Sequence, residues 1–102
     1  MRARNPSAPL VRMLLADAAA GCRARAMSSE AADWSSATFT GARHRIALSA
    51  PHGPALSHWL ARLSAQRLTL PRAMVGEVTV ERVEPAGTAR TIALSVLTID
   101  MD

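Results

Sequence analysis

Three histidines, His44, His52 and His58, and the single cysteine Cys22 are the side chains best suited to hold a metal. None of them falls into a CxxC, HxxxH or HExxH spacing, the patterns that put ligands on one face of an element. His52 and His58 stand six positions apart, outside the three- or four-residue spacing that makes neighbours on a helix. For nucleophilic catalysis a serine or cysteine needs a base and a group to orient it, and no GxSxG elbow accompanies the many serines. His44 lies beside Ile46 and Leu48 in an alternating run, so it reads as a partly buried histidine at a sheet end rather than a general base. Glu77, Glu81 and Glu84 could form paired carboxylates. Glu77 and Glu81, however, share the polar face of an alternating run and are expected to meet Arg43, Arg45 or Arg90 across a sheet.

Phosphate and nucleic acid find equally little. The five glycines are isolated, so no loop cradles a phosphate. The only asparagine is Asn5, far from any sheet position where it could assist an arginine in acylphosphatase-like chemistry. Stacking on RNA bases needs aromatic residues on the sheet, and Phe39 is the only candidate there. The expectation is therefore no catalytic, cofactor or metal residue.

Contacts with another protein are a different matter. Trp59 belongs to an apolar helical stripe and is expected in the core. Trp34 stands in a polar stretch with Ser35 and Ser36, where it either folds back as a lid or anchors a partner. With Arg23 and Arg25 on a neighbouring short strand, Trp34 is the candidate partner-binding set. Cys22 follows Ala18, Ala19, Ala20 and Gly21, and reads as a small buried side chain.

These residues must be positioned by one small domain. The chain has 102 residues, 49% hydrophobic and 20% charged, which suits a single globular core. All twelve basic residues are arginine, and they scatter from Arg2 to Arg90, so the net charge of +4 reads as a solvated surface rather than a nucleic-acid footprint. No apolar run approaches the ~18 residues of a membrane span, and no signal-type apolar stretch follows Met1 to Pro6.

Ser7 and Pro9 suit a helix start, the hydroxyl capping and the proline in the first turn. Val11, Leu14, Leu15 and Ala18 then make a buried stripe, and Gly21 offers the stop. Cys22 to Met27 alternates as a short strand, residues 28–36 read as a loop, and a second strand follows from Thr38, bent near Gly41. Pro54 opens a second helix with the stripe Leu56, Trp59, Leu60 and Leu63. Val78 and Val80 mark a third strand, Pro85 to Thr88 a turn, and Ile92, Leu94 and Val96 the last strand. The segment from Arg67 to Val75 is ambiguous because Pro71 cannot donate within a sheet.

The order helix, strand, strand occurs twice, and Ile46-Ala47-Leu48-Ser49 recurs as Ile92-Ala93-Leu94-Ser95, 46 positions later. Two αββ units should pair into one four-stranded antiparallel sheet with both helices, near 8–20 and 54–66, on one face. This is an α+β, ferredoxin-like arrangement, circularly permuted to αββ-αββ. Residues 1–8 are expected to be a flexible N-terminus and residues 9–102 the domain.

The run His58-Trp59-Leu60-Ala61-Arg62-Leu63, followed by Val78-Thr79-Val80-Glu81-Arg82-Val83 and an alternating final strand, resembles the periplasmic domain of type II secretion system protein M. The carboxyl domain of secretion protein L and type IV pilus protein O share that pattern. The resemblance implies a non-enzymatic scaffold domain of an inner-membrane assembly platform that supports export across the outer membrane. It also implies a homodimer that pairs with a related ferredoxin-like domain such as protein L. Its place would be periplasmic, anchored by a membrane helix outside the sequence given, or cytoplasmic if the chain is complete. A free-standing ferredoxin-like ligand-binding or regulatory module is the alternative.

Overall fold

The computed structural model describes residues 7–63 and 69–101. Helix α1 spans Ala8–Cys22, strands β1 and β2 span Arg25–Ser35 and Thr40–Pro51, and helix α2 spans Pro54–Leu63. The two-residue strand β3 (Thr69–Leu70) precedes the long strands β4 (Ala73–Ala86) and β5 (Ala89–Asp100). The sheet order is β1-β2-β5-β4-β3, every neighbouring pair antiparallel. The fold is thus α+β, with four long antiparallel strands and two helices, and its strand order is compatible with the permuted ferredoxin-like arrangement.

The two halves meet along the central pair. Ile46 lies opposite Leu94, Ala47 opposite Ala93 and Leu48 opposite Ile92. The repeated tetrapeptide therefore faces its own copy in reverse, and the αββ units are related by a local two-fold through the Ala47–Ala93 pair.

One face of the sheet carries the core. Ile46, Leu48 and Ala50 from β2 and Ile92, Leu94 and Val96 from β5 are buried with Val78 against both helices. Helix α1 contributes Leu10, Leu14, Ala18 and Cys22, a single i, i+4 row, while Val11 and Leu15 of the expected stripe flank it half-buried. Helix α2 contributes Leu56, Trp59 and Leu63. The helices are also tied to each other by polar groups. Trp59 Nε1 donates to Asp17 Oδ2 at 2.9 Å, and an Arg62 amino group donates to the Asp17 carbonyl at 3.2 Å.

Several expectations need correction. Helix α1 runs past Gly21 to Cys22, and the left-handed residue that ends it is Arg23, at φ 55°. Cys22 thus belongs to the helix, not to a strand. Residues 28–35, expected as a loop, continue β1. This strand lies at the sheet edge beyond the main helical cover, so both its faces are largely wet and no alternation marks it. The bend expected near Gly41 is not where the ladder breaks; the irregularities fall at Met27, Gly76 and Glu81. Pro71 sits in the turn between β3 and β4, and Pro85 lies on β4 itself, where the outer edge has no ladder bond to lose. The tight turn is Gly87-Thr88, with Gly87 at φ 67° as a two-residue hairpin requires. The end expected for α2, at residue 66, lies outside the described residues. So do residues 1–6; Ser7 and Ala8, assigned to a flexible N-terminus, are instead part of the fold, Ser7 being buried.

Candidate functional site: the open sheet face

With both helices on one face, the other face of the four long strands is covered by no described element. The register places its side chains in rows that run from β1 through β2 and β5 to β4. At one end stand Trp34, Gly41, Ile99 and Met74, and next to them Ala32, Arg43, Leu97 and Glu77. Then come Glu30, Arg45, Ser95 and Thr79, followed by Ser28, Ala47, Ala93 and Arg82. Arg25, Ser49, Thr91 and Glu84 close the far end. A solvated antiparallel face normally alternates to polar residues. Here the first row and Leu97 depart from that rule.

The apolar end is built around two glycines. Gly41 is buried under Trp34: an added Cβ would strike the Thr98 carbonyl oxygen and come within 3.0 Å of Trp34 Nε1. With no side chain at 41, the indole crosses β2 and donates from Nε1 to the Thr98 carbonyl of β5 at 3.3 Å. Gly76, the bulge residue of β4, leaves room for the Ile99 side chain, whose Cδ1 would lie 3.3 Å from a Cβ there. Trp34, Ile99 and Met74 therefore form a low platform rather than a ridge. Trp34, Leu97 and Ile99 are half-buried and Met74 is 38% exposed. At the same end, Phe39 in the β1–β2 turn and Met101 after β5 are also exposed. The turn itself is fixed by Ser36, whose hydroxyl accepts the Thr38 and Phe39 amides at 3.3 and 3.1 Å.

Of the expected partner-binding residues, only Trp34 reaches this platform. Arg25 lies on the same face at its opposite end, and Arg23 is the exposed terminus of α1. Trp34 is folded back and bonded by its nitrogen, yet still half-exposed. The sequence does not single out Leu97 and Ile99 because alternation puts them opposite Ile92, Leu94 and Val96 without showing that this face is uncovered, and Met74 lies beyond the Gly76 bulge, which breaks the period of β4. The carboxylate expectation also changes. Strand β5 stands between β2 and β4, so Glu77 lies opposite Leu97 and Glu81 occupies a bulge, and the acid facing Arg45 is Glu30. Arg90 lies opposite Pro85 and donates to the Ala89 carbonyl.

On the covered side, His44 is buried with both ring nitrogens engaged. It lies 2.8 Å from Ser7 Oγ through Nδ1 and 3.0 Å from Thr98 Oγ1 through Nε2. The Thr98 hydroxyl donates to the Ala42 carbonyl at 3.3 Å. Its one hydrogen is thereby used, so it accepts from Nε2–H, and Nδ1 accepts from Ser7, which fixes a neutral tautomer. Burial holds the imidazole pKa below its usual range. Ser7 was expected to cap α1, but its hydroxyl makes no cap bond and serves His44 instead. Burial likewise raises the Cys22 thiol pKa, with Arg62 opposing. Among the described residues no three or more His, Cys, Asp or Glu side chains gather where they could hold a metal, and no helix is long and apolar enough to cross a membrane.

Comparison with protein-family models, curated proteins and solved structures produced no match.

Proposed function

We propose that this chain is a non-enzymatic protein-interaction domain whose open sheet face receives the partner. The observation that carries this reading is the platform of Trp34, Met74, Leu97 and Ile99. These are large apolar side chains that the core does not use, gathered at one end of an otherwise polar face. Clusters of this kind, rimmed by charge, mark contact sites more often than isolated surface apolar residues do. The buried His44 is held by two hydroxyls behind the sheet, which suits packing rather than catalysis.

The sequence resemblance then supplies the setting: a scaffold domain of the inner-membrane platform of a type II secretion or type IV pilus system, in the periplasm, paired with a related ferredoxin-like domain such as that of secretion protein L. The αββ-αββ element order supports this setting. Titrating the purified domain with the carboxyl domain of the cognate protein L, followed by amide chemical shifts, tests it. Shifts confined to β1, β5 and the start of β4 are expected. Binding through the helical layer, or no binding at about 500 μM, a millimolar-range limit, contradicts it.

A further inference from the structure

We infer that the open sheet face also receives a second copy of this chain, the two sheets packed face to face about a two-fold axis parallel to the strands. This rests on the interaction-domain reading and adds a particular partner and geometry. The argument is charge. The β1–β2 half of the face carries Arg25, Arg43 and Arg45 with Glu30, whereas β4 carries Glu77 and Glu84 with Arg82. A two-fold parallel to the strands and passing between β2 and β5 exchanges β1 with β4 and keeps every row level. It lays the basic half of each copy on the acid-rich half of the other. Arg25 comes over the partner's Glu84, Arg43 approaches the partner's Glu77, and Trp34 covers the partner's Met74, each contact made twice as in any isologous interface.

The other in-plane axis, perpendicular to the strands and through the middle row, sets Arg45 against its own copy. It also separates the two apolar ends, so it is disfavoured by like charge and by lost burial. Aligned sheet packing keeps strand directions within about 30° and preserves the correspondence of rows. Four strands about 4.8 Å apart and ten residues at about 3.3 Å define a face of roughly 500–600 Å² per copy. That is the low end of specific interfaces, so the dimer is weak and exchangeable. The two glycines that flatten the platform make such a close approach possible.

Sedimentation equilibrium tests the proposal on the wild type, Met74→Glu, Arg25→Glu, Glu84→Arg and the double variant Arg25→Glu/Glu84→Arg. All three substituted positions are exposed, and thermal melts confirm folding. A wild-type dissociation constant in the range of about 10–100 μM is expected. Met74→Glu should weaken it at least about 10-fold, as a charge set in an apolar contact does. Each single charge reversal should weaken it about 3- to 10-fold and the double variant should restore it. A monomer at about 500 μM, a dimer indifferent to Met74→Glu, or a double variant no better than the singles overturns the proposal. A monomer that still binds protein L in a Met74-dependent way overturns the self-association and leaves the interaction-domain reading standing.

Discussion

His44 lies behind the sheet with both ring nitrogens engaged. Its neutral state is fixed by the Thr98 hydroxyl on one side and Ser7 on the other. Because the folded pKa is depressed, the unfolded chain takes up a proton first as pH falls below about 6.5, and folding stability falls with it. Stability should be level above that pH and drop by up to about 1.4 kcal/mol per pH unit below it, until the folded-state pKa is reached. Urea denaturation between pH 7.5 and 5 measures the slope, and His44→Gln should remove this contribution. Ser7→Ala, which takes the donor from a buried nitrogen, should cost about 1–3 kcal/mol. The burial of His44 was legible from its alternation with Ile46 and Leu48. Its two hydroxyl partners were not, because Ser7 and Thr98 lie 37 and 54 positions away.

Gly41 is the opposite case, a residue without chemistry that shapes the candidate site. Gly41→Ala would force a methyl against the Thr98 carbonyl and the indole, so a loss of about 1–3 kcal/mol is expected by overpacking. Freed from its bond, Trp34 should emit at longer wavelength when observed in a Trp59→Phe background; unchanged emission would mean that the indole does not depend on Gly41.

At the scale of elements, what was readable depended on cover. Helices α1 and α2, β2 and β5 are each buried on one side and show the corresponding period. Strand β1 does not, since Met27 to Ala32 meets solvent on both faces except at Ser29 and Ala31, and its serines imitate a loop. The end of α1 was misplaced by one competing signal. Gly21 is a natural stop, yet the chain spends its left-handed residue on Arg23, a conformation in which a side chain carries a steric cost. Arg23→Gly should therefore stabilise the protein by about 0.5–1 kcal/mol, read as a rise in urea midpoint at constant slope. A fall would show that the arginine side chain itself supports the junction.

The whole molecule is two αββ units joined along β2 and β5 at Ala47 and Ala93. That duplication was visible as a repeated tetrapeptide and two helical stripes, and it accounts for the sheet order. What the pattern could not convey is that the layers are unequal: one face takes both helices and the other none. Alternation with Ile92, Leu94 and Val96 puts Leu97 and Ile99 on the opposite face, but it does not show that no described helix covers that face. The central claim is that this uncovered apolar end, rather than any reactive group, is the working surface. Methyl NMR of Met74, Leu97 and Ile99 against Leu10, Leu14 and Leu63, recorded from about 10 to 500 μM, tests it most directly. The three outer methyls should shift together with concentration while the core methyls stay still. Outer methyls invariant both to concentration and to added carboxyl domain of the cognate protein L, or shifts confined to α1 and α2, would contradict the account.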